Sequence, residues 1–143
     1  MVYAQGLHGD DETKRRRVMA IIAVVPAASF ILPAQVLAEL FNVLTRKVRR
    51  DAKAAAQIVR VWQDMFSVMP TTEMVLSRGL DVAIVHGFAI WDAIILAAAS
   101  EAGCRLLLSE DMHDGFTWGG VTIVNPFAAS PNKLLADLTG GTH

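Results

Sequence analysis

The chain has 143 residues, a formal net charge of −1 and one cysteine, with 53% hydrophobic and 19% charged residues. That length suits one compact domain of about 100–200 residues, and the composition favours a filled core over disorder. The lone thiol of Cys104 excludes an internal disulfide framework and suits a reducing cytoplasm; with no partner base evident, it reads as a packing residue.

In chain order, residues 10–25 read as a helix, with Asp10, Asp11 and Glu12 at its positive end and Val18, Ile21, Ile22 and Val25 at helical spacing. A short β-like run at 29–32 follows Pro26, and Pro33 stands at the expected first position of a helix over 34–48. Its apolar stripe is Leu37, Leu40, Phe41 and Leu44. A third helix is expected over 51–68, with Ile58, Val61, Trp62, Met65 and Phe66 facing inward, and Pro70 stops it. Thr71 or Thr72 can cap the next, over 73–86, and Gly87 breaks it. Residues 89–102 make another helix that ends at Gly103. Short strands are expected at 105–108 and, after Gly119-Gly120, at 121–124.

This order argues for an α/β fold with a mostly parallel sheet flanked by helices. One domain is expected over 1–127, followed by a loose tail over 128–143. The start lacks the pattern of a secretory leader. Pro26, Pro33 and Asp92 interrupt the longest apolar stretches, which leaves neither with the about 20 apolar residues of a membrane span.

Charge is uneven. Residues 1–60 carry ten Lys and Arg against five acids, whereas residues 61–143 carry three against nine. A basic face meeting phosphates and an acidic site meeting metal fit that polarity, as do ordinary solvated helices.

Three acids stand among apolar neighbours: Glu39 in Leu37-Ala38-Glu39-Leu40-Phe41, Asp92 in Ile90-Trp91-Asp92-Ala93-Ile94, and Asp111 after Leu106-Leu107-Leu108. The carboxyl end of a buried strand, where Asp111 falls, is where open α/β sheets bind ligands. A buried carboxylate costs several kcal/mol unless paired, hydrogen-bonded or bound to a cation. Oxygen-only ligands favour Mg²⁺ or Mn²⁺ over zinc, and the four histidines show no zinc spacing. One or two such ions lower the pKa of a bound water and stabilise charge on a phosphodiester. Ser109 is placed to orient a ligand, while Glu110 and Asp114 are auxiliary candidates. Each acid also has a structural reading: Asp92 as a helix N-cap, Glu39 at a solvated helix edge, and Asp111 in a turn with Asp114-Gly115. Trp91 beside Asp92 invites a base-stacking role, but core packing is the expectation, and Trp118 is expected on a loop near the site.

The stretches Ile90-Trp91-Asp92-Ala93-Ile94-Ile95, Glu101-Ala102-Gly103-Cys104, Leu107-Leu108-Ser109-Glu110-Asp111-Met112 and Val124-Asn125-Pro126-Phe127 resemble a PIN-domain subfamily. The helix Val36-Leu37-Ala38-Glu39-Leu40-Phe41 resembles the one that carries its second acid. The resemblance implies a PIN-like three-layer fold and a VapC-type toxin, a metal-dependent endoribonuclease using Mg²⁺ or Mn²⁺. Glu39, Asp92 and Asp111 then take catalytic and metal-binding roles, with Ser109 in support. It further implies an RNA substrate, a cognate antitoxin and a homodimer in the cytoplasm. Arg46, Lys47, Arg49 and Arg50 are candidate RNA contacts, alongside the basic run 14–17.

The family's first acid stands in an Asp-Thr/Ser-Asn motif ending the opening strand. Met1-Val2-Tyr3-Ala4 looks like the residues just after it. The strand and its Asp are therefore expected to be missing, through a late assigned start or a truncated gene, with low stability and weak activity. The alternative function is a catalytically dead PIN-like domain that only binds an antitoxin or RNA.

Overall fold

Asp11 accepts a hydrogen bond from the Lys14 amide at 3.1 Å and so caps helix α1, Glu12–Val24. The computed structural model describes residues 11–140, and the expectation about the opening strand and its Asp lies outside them. By internal contacts the chain divides into two compact units, Met1–Val68 and Met69–His143.

In the first unit, strand β1 (Ile31–Pro33) leads directly into helix α2 (Ala34–Arg46). Pro33 is the N-cap rather than the first helical residue. Helix α3 (Ala52–Met65) begins at Asp51, whose carboxylate accepts from the amides of Lys53 and Ala54 at 3.0 and 3.2 Å. Leu37, Leu40, Leu44, Ala55, Trp62 and Phe66 form the core. Helix α3 stops three residues earlier than its pattern indicates. Phe66 adopts an extended backbone and packs its ring against Phe30 (centroids 5.2 Å apart) and Trp62 (5.5 Å). That turn of the chain releases Ser67–Met69 as strand β2, paired with β1, where sequence periodicity expects helix. Val61 and Met65, expected inside, are exposed.

The second unit opens with α4 (Glu73–His86), capped by Thr72, whose hydroxyl accepts from the Val75 amide at 3.2 Å. Gly87 ends it at φ 71°, the left-handed conformation that favours glycine. Helix α5 (Ile90–Glu101) is apolar nearly all round, and α4 and the sheet cover it on different faces. Strand β3 (Leu106–Leu108) pairs in parallel with β5 (Val121–Val124), Leu106 opposite Thr122 and Leu108 opposite Val124. The two-residue strand β4 (Thr117–Trp118) joins β5 antiparallel through the Gly119-Gly120 turn, giving the order β3-β5-β4. The fold is mixed α/β with parallel pairing, as the sequence indicates. Strand β4 escapes sequence reading because two residues carry no alternation.

Residues expected in a loose tail instead form helix α6, Lys133–Leu138. Asn132 caps it by accepting from the Leu134 amide at 2.9 Å, and Leu135 is buried.

Two devices hold α4 to α5. A Cβ on Gly79 would stand 3.0 Å from Ile94 Cγ1 and 3.1 Å from Ile94 Cα, so the helices meet where one lacks a side chain. Arg78 donates to Glu101 at 2.7 Å and to Ser100 Oγ at 3.3 Å, with its guanidinium 5.0 Å above the Trp118 ring. Ser100 Oγ in turn donates to the Gly119 carbonyl at 2.8 Å. Gly79→Val should therefore lower stability by about 1–3 kcal/mol, the usual cost of overpacking, read as a lower urea midpoint at unchanged slope.

Candidate functional site

Helix α5 returns through residues 102–105 into β3, a link short enough to make the two run antiparallel. The amino end of α5 and the carboxyl end of β3 therefore share one end of the second unit. The loop after β3 confirms it: Phe88, just before α5, packs its ring against His113 (6.1 Å between centroids) and Phe116 (5.2 Å). His86 stacks edge-on against the same Phe116 at 5.3 Å. Because β5 is parallel to β3, its carboxyl end lies there too.

Asp92 is the third residue of α5 and half-buried. Ala89 occupies the N-cap, so Asp92 is a first-turn acid rather than the cap, and its charge suits the helix's positive end. Asp111 is exposed, which corrects the expectation that its apolar neighbours shield it. Those leucines belong to β3, and the chain has already left the sheet at Ser109. The Asp111 amide donates to Ser109 Oγ at 3.3 Å, while the Ser109 amide donates to the Val124 carbonyl at 3.1 Å. Ser109 thus fixes the turn that carries Asp111 to the end of β5. Asp114 Oδ1 accepts the Asn125 amide at 2.8 Å, and Asn125 Oδ1 accepts from Phe127 at 2.9 Å. Asp114 ties the loop to the chain beyond β5, a structural use of a carboxylate first read as an auxiliary ligand. Glu110 is half-buried.

Glu39 lies on α2 in the first unit and is also exposed, with Oε1 accepting from Gln35 Nε2 at 3.0 Å. Its apolar neighbours Leu37 and Leu40 turn into the core while Glu39 takes the opposite face of the helix. Arg46, Lys47, Arg49 and Arg50 are all exposed at the end of α2 and in the link to α3. Their side chains form no ion pair among the described residues.

Two tryptophans differ from expectation. Trp118 is in strand β4 beneath Arg78, not on a loop, and Trp91 is 64% exposed rather than in the core. Cys104 borders the sheet core, and burial pushes its thiol up from the ordinary range, consistent with a packing role. The cluster of Phe88, Phe116 and the two histidines is not foreseen, since its members are scattered in sequence. Only the aromatic residues flanking Asp92 and Asp111 hint at it.

Asp92, Asp111 and Ser109 at this end of the second unit carry carboxylate and hydroxyl oxygens, which fit a hard divalent cation. Among the described residues, no three His, Cys, Asp or Glu side chains stand close enough together to form a ready-made cage. Mg²⁺ needs none: it is commonly held by one or two carboxylates with water completing its shell.

A sequence model described as the PIN domain matches residues 2–113. The match spans Glu39, Asp92 and Asp111 and ends before Asp114. No curated protein matches the chain.

Proposed function

The chain belongs to the PIN-domain family, nuclease-like proteins that are generally metal-dependent, and on that premise we propose that it is an endoribonuclease that hydrolyses RNA phosphodiester bonds with Mg²⁺ or Mn²⁺. The family match over residues 2–113 carries this reading. Asp92 and Asp111, at one end of the second unit, are the acids that hold the ion, and Glu39, in the first unit, is a candidate on its sequence motif alone. The ion, when bound, supplies Lewis acidity at the phosphodiester. Asp92 gives it a charge fixed by a helix, Asp111 gives it a second on a turn, and Ser109 positions Asp111 through the backbone. Arg46, Lys47, Arg49 and Arg50 offer an exposed basic strip for phosphates.

The VapC-type toxin role, the cognate antitoxin, the homodimer and the cytoplasmic setting extend the proposal through resemblance. The exposed stripe Leu76, Leu80 and Ile84 on α4 supports a protein contact. No described helix is long and apolar enough to cross a membrane.

Metal removal tests the core of the proposal. The purified chain should cut single-stranded RNA with Mg²⁺ or Mn²⁺, stop in EDTA, and resume when Mn²⁺ is restored. RNA bound but uncut at saturating metal would instead establish a PIN domain that binds without cutting.

A further inference from the structure

Helix α4 closes on Gly87 (φ 71°) and α5 on Gly103 (φ 72°), both in the left-handed conformation that suits glycine. Helix α2 closes differently. Past its C-cap the chain bends at Arg49, whose φ of 54° is the only positive value on a non-glycine among the described residues. Arginine rarely adopts that conformation, and glycine would adopt it without strain. The bend folds the chain back onto the helix end. Lys47 and Val48 donate to the Val43 carbonyl at 3.0 and 3.2 Å, and Arg50 donates to that of Leu44 at 3.0 Å.

The turn gathers Arg46, Lys47, Arg49 and Arg50, all exposed and none in an ion pair among the described residues. Asp51, the adjacent acid, is engaged in capping α3 through the amides of Lys53 and Ala54. The basic run on α1 is the contrast: Lys14 pairs with Asp11, and Arg15 and Arg16 pair with Glu12. An ordinary solvated helix accounts for that run. The negative end of α2 favours nearby cations, but it asks for no arginine in a strained backbone. Strain and like-charge repulsion both lower stability, and a polyanion relieves the repulsion. A protein ligand needs an apolar centre to its interface, and this turn offers only Val48, 37% exposed. RNA needs only cations for its phosphates. Arg46 also shares a face with Glu39: seven residues apart on α2, they lie within about 20° around the helix and about 10 Å along it.

Resting on the ribonuclease reading above, we propose that Arg49, held in its left-handed bend, makes the 46–50 turn a phosphate clamp for single-stranded RNA. The bend joins two cations at the helix end and two beyond it into one cluster. A strand gripped there runs along the outer face of α2 towards Glu39. Arg49 is thus a positioning residue, and its strained conformation persists because the glycine that would relieve it also removes a phosphate contact.

The test compares Arg49→Gly with Arg49→Lys by binding to a labelled single-stranded RNA oligonucleotide in EDTA, where the strand stays intact. Lys133→Gln, on the exposed surface of α6, removes the same charge elsewhere. Arg49→Gly should flatten the slope of log affinity against log salt by about 0.7 and weaken binding about fivefold at 0.1 M salt, the counterion release of one contact. Its melting temperature should equal or exceed that of wild type, because the bend is no longer strained. Arg49→Lys should keep the slope and most of the affinity, and Lys133→Gln should keep both. An unchanged slope and affinity in Arg49→Gly would overturn the inference, and so would an equal loss in Lys133→Gln. A lower melting temperature in Arg49→Gly would also overturn it, by making the arginine structural. A polyglutamate peptide that binds wild type with the same dependence on Arg49 would overturn the choice of RNA. Wild-type protein that cuts RNA without any dependence on Arg49 loses this inference alone, whereas one that neither binds nor cuts RNA loses the ribonuclease reading with it.

Discussion

Asp92→Asn should lower the rate of RNA cleavage by about 100-fold or more while the protein stays folded. Replacing even the outer partners of metal ligands typically costs about 10–100-fold, so loss of a ligand charge belongs at or above the top of that range. Asparagine has nearly the same shape and suits the half-buried first turn of α5. What changes is one negative charge at a helix's positive end, worth about 0.3–1 kcal/mol of stability. The expected signature is thus a large fall in kcat, a weaker response to added Mg²⁺, and a melting temperature within a few degrees of wild type. Asp81→Asn is the control, since Asp81 is an exposed acid on α4 outside the proposed site. Full activity in Asp92→Asn would sink the assignment. Asp111→Asn should act in the same direction. Its turn rests on the Asp111 amide and the Ser109 hydroxyl, so the substitution leaves the loop's bond in place.

The helices were legible because their signals are local. Thr72, Asp51 and Gly87 stand where caps belong, and α4 and β5 fall on the predicted residues. Strand β2 was not, because Ser67–Met69 continues an apolar run and only the inward packing of Phe66 turns it out of the helix. The acids divide the same way. Periodicity places Asp92 in a buried helix correctly, and half-burial follows. It fails for Glu39 and Asp111, whose apolar neighbours say where the backbone lies but not which way the carboxylate points. Glu39 is on the outer face of an amphipathic helix, and Asp111 is past the last residue of its strand. Trp91 fails for the converse reason. An apolar helix implies a buried tryptophan, but Trp91 stands on the exposed side of a first turn whose Ala93 is fully buried.

Leu96→Ala should cost about 2–5 kcal/mol, the range for removing a buried leucine side chain from a core that only partly collapses around the cavity. Leu96 is 0% exposed and packs in one cluster with Val82, Ala93, Ala99, Val121 and Ile123, so α4, α5 and β5 all lose a partner together. The surrounding residues are mostly small or β-branched and stiff, which limits how far they can move in to fill the space. In a unit of this size each kcal/mol corresponds to about 4–8 °C, which puts the loss well within reach of a thermal melt followed by circular dichroism. Val85→Ala is the matched comparison, because Val85 is 72% exposed on α4, off the Leu76, Leu80 and Ile84 stripe, and its truncation should stay within about 0.5 kcal/mol. A large loss at Leu96 beside a small one at Val85 means that α5 is anchored by its sheet-facing side, the side that fixes where Asp92 is held. The reverse pattern would mean that the face carrying Val85 is covered and that α5 takes its position from a different contact.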